Sequence, residues 1–132
     1  MGTVVVSARE NGTMKKRILA LVLLAGAALT GCSSQPDVEP TGHTTTVTVQ
    51  VEGMSFTPSD IEVPRGDELV VEFENTGTEL HDLTFGNGEA SERINPGQSA
   101  TVNVGVVGEE MDFWCSVSNH REMGMEGTVT VE

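Results

Sequence analysis

Apolar and polar residues alternate along most of the chain from Thr45 onward. Thr45–Val51 (TTVTVQV) interleaves valine with polar, often β-branched positions, the period of a strand with one buried face. Glu68–Asn75 (ELVVEFEN) repeats the pattern, with Leu69, Val71 and Phe73 on one face and Glu68, Glu72 and Glu74 on the other. Ser99–Val107 and Gly127–Glu132 read the same way, and shorter extended pieces are expected at Ile61–Val63, Leu80–Phe85 and Asp112–Cys115. Breaks at Gly53–Pro58, Pro64–Asp67, Asn75–Thr78 and Gly86–Gly88 separate them, and Pro96-Gly97 suits a type II turn. No window of this part sustains an apolar stripe at helical spacing. Short strands divided by Gly and Pro turns predict an all-β sandwich of two antiparallel sheets, and roughly ninety residues suffice for one modest core. Trp114 and the Phe residues are expected in that core.

The first part of the chain has a different pattern. Met14-Lys15-Lys16-Arg17 is basic, and Ile18–Leu29 (ILALVLLAGAAL) is an unbroken apolar run. Such a run is too short to cross a bilayer as a helix but suits a signal peptide. It ends in Leu29-Thr30-Gly31-Cys32, which resembles the bacterial lipobox; that resemblance implies cleavage before Cys32 and acylation of its sulfur. Met1–Thr13 has no basic segment of its own and is expected to lie upstream of the true start at Met14. Ser33–Thr44 (SSQPDVEPTGHT) lacks apolar periodicity and reads as a flexible tether, with His43 expected to be merely solvated. The expected organisation is therefore an extension over 1–13, a lipoprotein signal over 14–31, a lipidated N-terminus and linker over 32–44, and a folded domain over 45–132.

Charge narrows the partners. From Cys32 onward nineteen Asp and Glu residues stand against three Arg and no Lys. Such a surface excludes binding nucleic acid through its phosphates. It favours a cationic partner or adaptation to high salt, and simple solubility accounts for it equally well.

The chemistry is concentrated near the end of the chain. Cys115, His120, Met123 and Met125 place a thiol, an imidazole and two thioethers within eleven residues, with His81 as their distant partner. His2Cys with a weak axial Met is the ligand set of blue-copper electron-transfer sites. Cysteine usage agrees. With Cys32 lipidated, Cys115 is a single thiol in an oxidising compartment, where metal ligation is one reason to keep it and burial as a small apolar residue is the other. Taken singly, His81 reads as readily as a half-buried core histidine.

The order of these residues settles which reading to follow. The run Met54-Ser55-Phe56-Thr57-Pro58, Ile61-Glu62-Val63-Pro64-Arg65-Gly66-Asp67, Val71–Asn75, His81-Asp82, then Cys115, His120 and Met125-Glu126-Gly127-Thr128-Val129-Thr130-Val131 resembles the cupredoxins, among them plastocyanin, amicyanin and the halocyanins. The similarity covers Thr45 to Glu132. It implies a Greek-key β-sandwich with one mononuclear type 1 copper at one end, held by His81, Cys115, His120 and a Met. It also implies that Asp82, paired with Ser116, ties the two ligand-bearing segments together, as outer-shell bonds orient ligands elsewhere. Met123 has an amicyanin-like interval from His120 and Met125 a plastocyanin-like one. Met125 is preferred as the axial ligand, because the residues after it run into the last strand as they do in plastocyanin.

The resemblance implies one-electron transfer, with the edge of His120 reaching an apolar surface patch. Redox proteins of the cell envelope are the expected partners, and the domain is expected to be a monomer on the extracytoplasmic face of a membrane. An envelope copper carrier, assisted by the thioethers of Met54, Met111, Met123 and Met125, is the alternative. An enzyme is not expected: both candidate ligand histidines are used at one ion, leaving none for a second centre or a catalytic triad.

Overall fold

Leu69, Val71 and Phe73 are fully buried on one face of a central strand, while Glu68 and Glu72 stand in solvent on the other. The computed structural model describes residues 38–132, and all regular structure among them is strand. In chain order the strands are β1 (Thr44–Glu52), β2 (Ser55–Thr57), β3 (Asp60–Val63), β4 (Glu68–Glu74), β5 (Thr84–Phe85), β6 (Ser99–Val106), β7 (Met111–Trp114) and β8 (Glu126–Val131). They form two four-stranded sheets, ordered β2-β1-β4-β6 and β3-β8-β7-β5. The readings placed on residues 1–37, namely the extension, the signal peptide, acylation of Cys32 and the first part of the tether, lie outside the described residues.

The sheets are mixed, which corrects the expectation of antiparallel sheets. β1 runs parallel to β4 over seven register pairs, from Thr44/Glu68 to Gln50/Glu74, and β3 runs parallel to β8. Parallel neighbours need a connection of a dozen or more residues. Here residues 53–67 supply it by forming β2 beside β1 and then β3 in the opposite sheet before the chain returns. Alternation specifies which face of a strand is buried but carries no information on the direction of its neighbour. The sequence pattern places β2 within a break. Its single buried residue, Phe56, is too little pattern to mark a strand.

Both sheets turn their apolar faces inward. Val49, Val51, Val102 and Val104 join the β4 residues from one side, and Ile61, Val63, Phe85, Phe113 and Val129 come from the other. Four phenylalanines thread the middle, with Phe56 against Phe73 at 6.1 Å and against Phe113 at 5.5 Å, and Phe85 against Phe113 at 5.7 Å between ring centroids. Burial of each such ring stabilises by roughly 1.5–3 kcal/mol before packing is counted. Trp114 departs from expectation: it is only half-buried and lies on the outer face of β7, because Phe113 takes the inward position beside it.

The domain also begins earlier than Thr45. Thr41 Oγ1 and Thr45 Oγ1 donate to the two carboxylate oxygens of buried Asp67, Thr41 N–H donates to Gly66 O at 2.9 Å, and Glu68 N–H donates to His43 O at 2.9 Å. The last residues of the expected tether are thus bonded to the β3–β4 turn. This is the end of β1 away from Asn75 and His81.

Candidate metal centre

Cys115 follows β7 directly, and its buried position is fixed at both ends of the loop that it opens. Its N–H donates to Met125 O at 3.1 Å, which joins it to the residue preceding β8. Between them the chain turns back on itself: His120 N–H donates to Val117 O at 3.1 Å and Met125 N–H to His120 O at 3.1 Å. Ser118 and Gly124 take left-handed backbone angles, φ 48° and 98°, which let the turn close this tightly. His120 is thereby folded inward from an otherwise exposed segment.

His81 reaches the same place from the other side of the molecule. The chain before it is shaped by Asn75, whose side-chain amide donates to Glu79 O at 2.8 Å and Ile94 O at 2.9 Å while its oxygen accepts from Gly77 N–H at 3.1 Å. His81 and Ile94 then exchange backbone hydrogen bonds at 3.2 and 2.8 Å. The expected Leu80–Phe85 strand is regular only at Thr84–Phe85; His81 sits in an isolated bridge instead. One residue on, Asp82 accepts from Ser116 N–H at 2.6 Å and from Ser116 Oγ, and Arg93 Nε lies 3.7 Å from it. The expected Asp82–Ser116 tie is therefore present, and it locks the His81 segment to the Cys115 segment.

These supports bring three donor atoms together. Cys115 Sγ lies 3.8 Å from His81 Nδ1 and 3.6 Å from His120 Nδ1, and the ligand atoms of all three residues lie within 4.8 Å of one another. An imidazole nitrogen and a thiolate sulfur on one first-row ion, at about 2.0 and about 2.3 Å and a trigonal angle, lie about 3.7 Å apart. The spacing fits a single ion. Met125 is 0% exposed and Met123 is 55% exposed, so only the former has its thioether inside the protein. His43 is exposed and is not part of the cluster.

Burial sets the protonation of this group. It pushes the Cys115 thiol above its ordinary value, against hydrogen bonds from the Asp82 and Val117 backbone that act the other way. It also holds the His81 imidazolium below its ordinary value, helped by His120 and opposed by Glu79 and Asp82. A pocket that disfavours an isolated thiolate and an isolated imidazolium alike keeps both residues neutral until a cation arrives. A metal ion held by Cys115, His81 and His120 would supply that cation and take the place of the thiol proton.

His81 is 1% exposed and His120 is 7% exposed, and His120 Nε2 meets the carboxylate of exposed Glu79 at 3.5 Å. Leu80 and Met123, near His81 and His120 in the chain, are exposed apolar residues, and an acidic group stands beside the His120 edge. Glu79 and Arg93 were not anticipated from the sequence. They approach the centre across loops, and no spacing along the chain signals that. Asn75 belongs to the run that carries the resemblance, but its bonds to Glu79 and Ile94 leave no signature in the sequence.

A family model described as a cupredoxin-like domain matches residues 19–131. No curated protein matches the sequence. Among solved structures, a dithionite-reduced auracyanin from the photosynthetic bacterium Roseiflexus castenholzii is similar at 21% identity and a TM-score of 0.57, over 69% of this chain and 99% of that one. Auracyanin A, a "blue" copper protein from Chloroflexus aurantiacus, is similar at 16% identity and a TM-score of 0.55, over 67% and 99%. A blue copper oxidase from Nitrosomonas europaea is similar at 19% identity and a TM-score of 0.57, over 68% of this chain but 39% of the oxidase. At these identities the likeness is one of fold.

Proposed function

The chain belongs to the cupredoxin-like family, and from that premise we propose that it is a blue (type 1) copper protein that passes single electrons between redox partners of the cell envelope. The observation that carries this reading is the convergence of His81 Nδ1, Cys115 Sγ and His120 Nδ1 within 4.8 Å, with buried Met125 on the same loop. The distances alone suit several first-row ions. A thiolate and two imidazoles with an enclosed thioether favour copper among them. Copper held there supplies a one-electron Cu(II)/Cu(I) couple.

The protein's part is to keep the donors still. His81 is held through Ile94 and Asn75, Cys115 through Met125 O, and the two segments are joined through Asp82 and Ser116. Donors that move little when charge changes leave little reorganisation to be overcome, and apolar walls exclude water from the centre. His120 is the ligand nearest the surface, and its edge is the proposed route for the electron. The acidic surface suits a partner with a basic docking face.

The carrier reading draws support from one exposed thioether, Met123; Met54 and Met111 pack against the core. The oxidase reading draws none beyond fold, since this chain corresponds to 39% of that protein. For location, we propose acylation of Cys32 and attachment to the extracytoplasmic face of a membrane. Two or three acyl chains make such attachment stable where one gives only marginal binding.

Addition of Cu(II) to the metal-free protein tests the central reading. One equivalent should produce an intense blue or green colour from Cys115 thiolate charge transfer, and Cys115→Ala should abolish it. Colour that survives in that variant would overturn the site assignment. Mass spectrometry of membrane-extracted protein should find acylated Cys32 at the mature N-terminus.

A further inference from the structure

Arg121 follows His120 directly and is one of only three arginines, with no lysine, among the described residues. Its side chain folds back over the outer face of the hairpin from which its own loop grows. The guanidinium carbon lies 4.0 Å from the centroid of the Trp114 ring. Nε donates to Glu126 Oε2 at 3.2 Å, and Nη2 lies 3.9 Å from Asp112 Oδ2. Trp114 and Glu126 are cross-strand partners in the β7–β8 register. Asp112, two residues before Trp114, shares their face, opposite buried Phe113.

The positions matter more than the contacts. Trp114 precedes Cys115, Glu126 follows Met125, and Arg121 follows His120. One guanidinium, carried by the residue after His120, therefore touches the neighbours of two other proposed ligands. Among the described residues, no side chain of Val117–Gly124 other than His120 and Arg121 makes a polar contact outside that segment. The backbone bonds of the turn are nearly all local, and the Cys115–Met125 rung fixes only its base.

We propose that Arg121 is a positioning residue that clips the ligand loop to the β7–β8 hairpin, so that His120 and Met125 keep their places relative to Cys115. The proposal rests on the copper reading above. A planar guanidinium can stack on an indole and bond a carboxylate from its edge at the same time, whereas a lysine ammonium supplies charge alone. Without the clip, the exposed half of the loop is restrained only by its own turn. The donors can then relax with the charge of the ion and open more often to solvent.

The full chain loaded with Cu(II) is compared with Arg121→Gln, Arg121→Lys and Glu126→Gln. Colour at saturating copper, the rate of copper loss to a chelator and the rate of electron self-exchange are measured for each. Arg121→Gln should stay coloured, lose copper roughly tenfold faster and exchange electrons several-fold more slowly. Arg121→Lys should resemble Arg121→Gln. Glu126→Gln should shift both rates less, in the same direction, and should add nothing in an Arg121→Gln background. Unchanged rates in Arg121→Gln, or full recovery with Lys, would overturn the proposal. Should Arg121→Gln fail to fold, the Lys and Glu126→Gln variants carry the same comparison. A parent protein that takes up no copper or stays colourless would instead remove the copper reading, and the clip with it.

Discussion

Cys115 and Met125 are hydrogen-bonded to each other through the backbone, N–H to carbonyl at 3.1 Å, so the residues that open and close the ligand loop form one rung. That rung sets Met125 beside the centre, while Met123 is left in solvent two residues earlier.

The two methionines should therefore separate in electrochemistry. The axial ligand tunes the potential, and loss of a donor disfavours Cu(II) more than Cu(I), so Met125→Leu should raise the reduction potential in voltammetry while the colour persists. The swap is close in volume and should cost less than about 1.5 kcal/mol of stability. Met123→Leu should leave the potential in place. A larger shift from Met123 than from Met125 would assign the axial position to Met123.

Asp82 is nearly enclosed and accepts two bonds from Ser116 while Arg93 stands 3.7 Å away. Asp82→Ala removes the tie between the His81 and Cys115 segments without touching a donor. Loss of such outer-shell partners weakens metal affinity roughly 10–100-fold. Competition with a chelator should show that loss, and Ser116→Ala, which keeps the backbone bond, should show less.

Gly127 lies opposite Phe113 in the β7–β8 register, and a methyl group placed on it would stand 2.3 Å from the Phe113 ring and 2.3 Å from Ser59 O. Backbone and a fully buried ring cannot both give way. Gly127→Ala should destabilise the domain by about 1–3 kcal/mol in denaturant titration. Because Gly127 is two residues beyond Met125, the same variant should broaden the visible band.

Asp67 gives an acid limb to stability. Hydrogen bonds from Thr41, then from Thr45, together with nearby His43, hold its carboxyl below the ordinary range against an opposing burial effect. The unfolded chain therefore binds this proton first, at about pH 3.9. The stabilisation is fully present above that value and is lost as pH falls through the lower value of the folded state. Asp67→Asn should be less stable than the parent at neutral pH, with the difference shrinking below about pH 4. Equal differences at both pH values would mean that the carboxylate charge plays no part.

Much of this architecture is written in the alternation of the chain. Leu69, Val71 and Phe73 had to share a face, and the structure buries all three. Direction was not legible, because the β1–β4 pairing depends on a connection of fifteen residues that passes through β3 in the other sheet. Neither was the docking of Thr41 and His43, since hydroxyl and backbone bonds to Asp67 and Glu68 leave no apolar signature. Trp114 was misplaced because composition cannot tell an inward aromatic from one stacked under an arginine. At the centre, His81, Cys115 and His120 stood out because such donors are scarce in this chain. Glu79, Arg93 and Arg121 did not, because their roles exist only once loops distant in sequence lie side by side.

The bonding of Thr41 to Gly66 and Asp67 decides where the chain enters the sandwich. From there β1 runs six residue steps, about 20 Å, before reaching the level of Asn75 and the His81 loop. With Cys32 acylated as proposed, the leash is fastened at the heel of the molecule and the copper rides at its toe. A freely diffusing partner would then reach the His120 edge without approaching the lipid. A partner fixed in the same bilayer would have to reach across the length of the sandwich before an electron could cross.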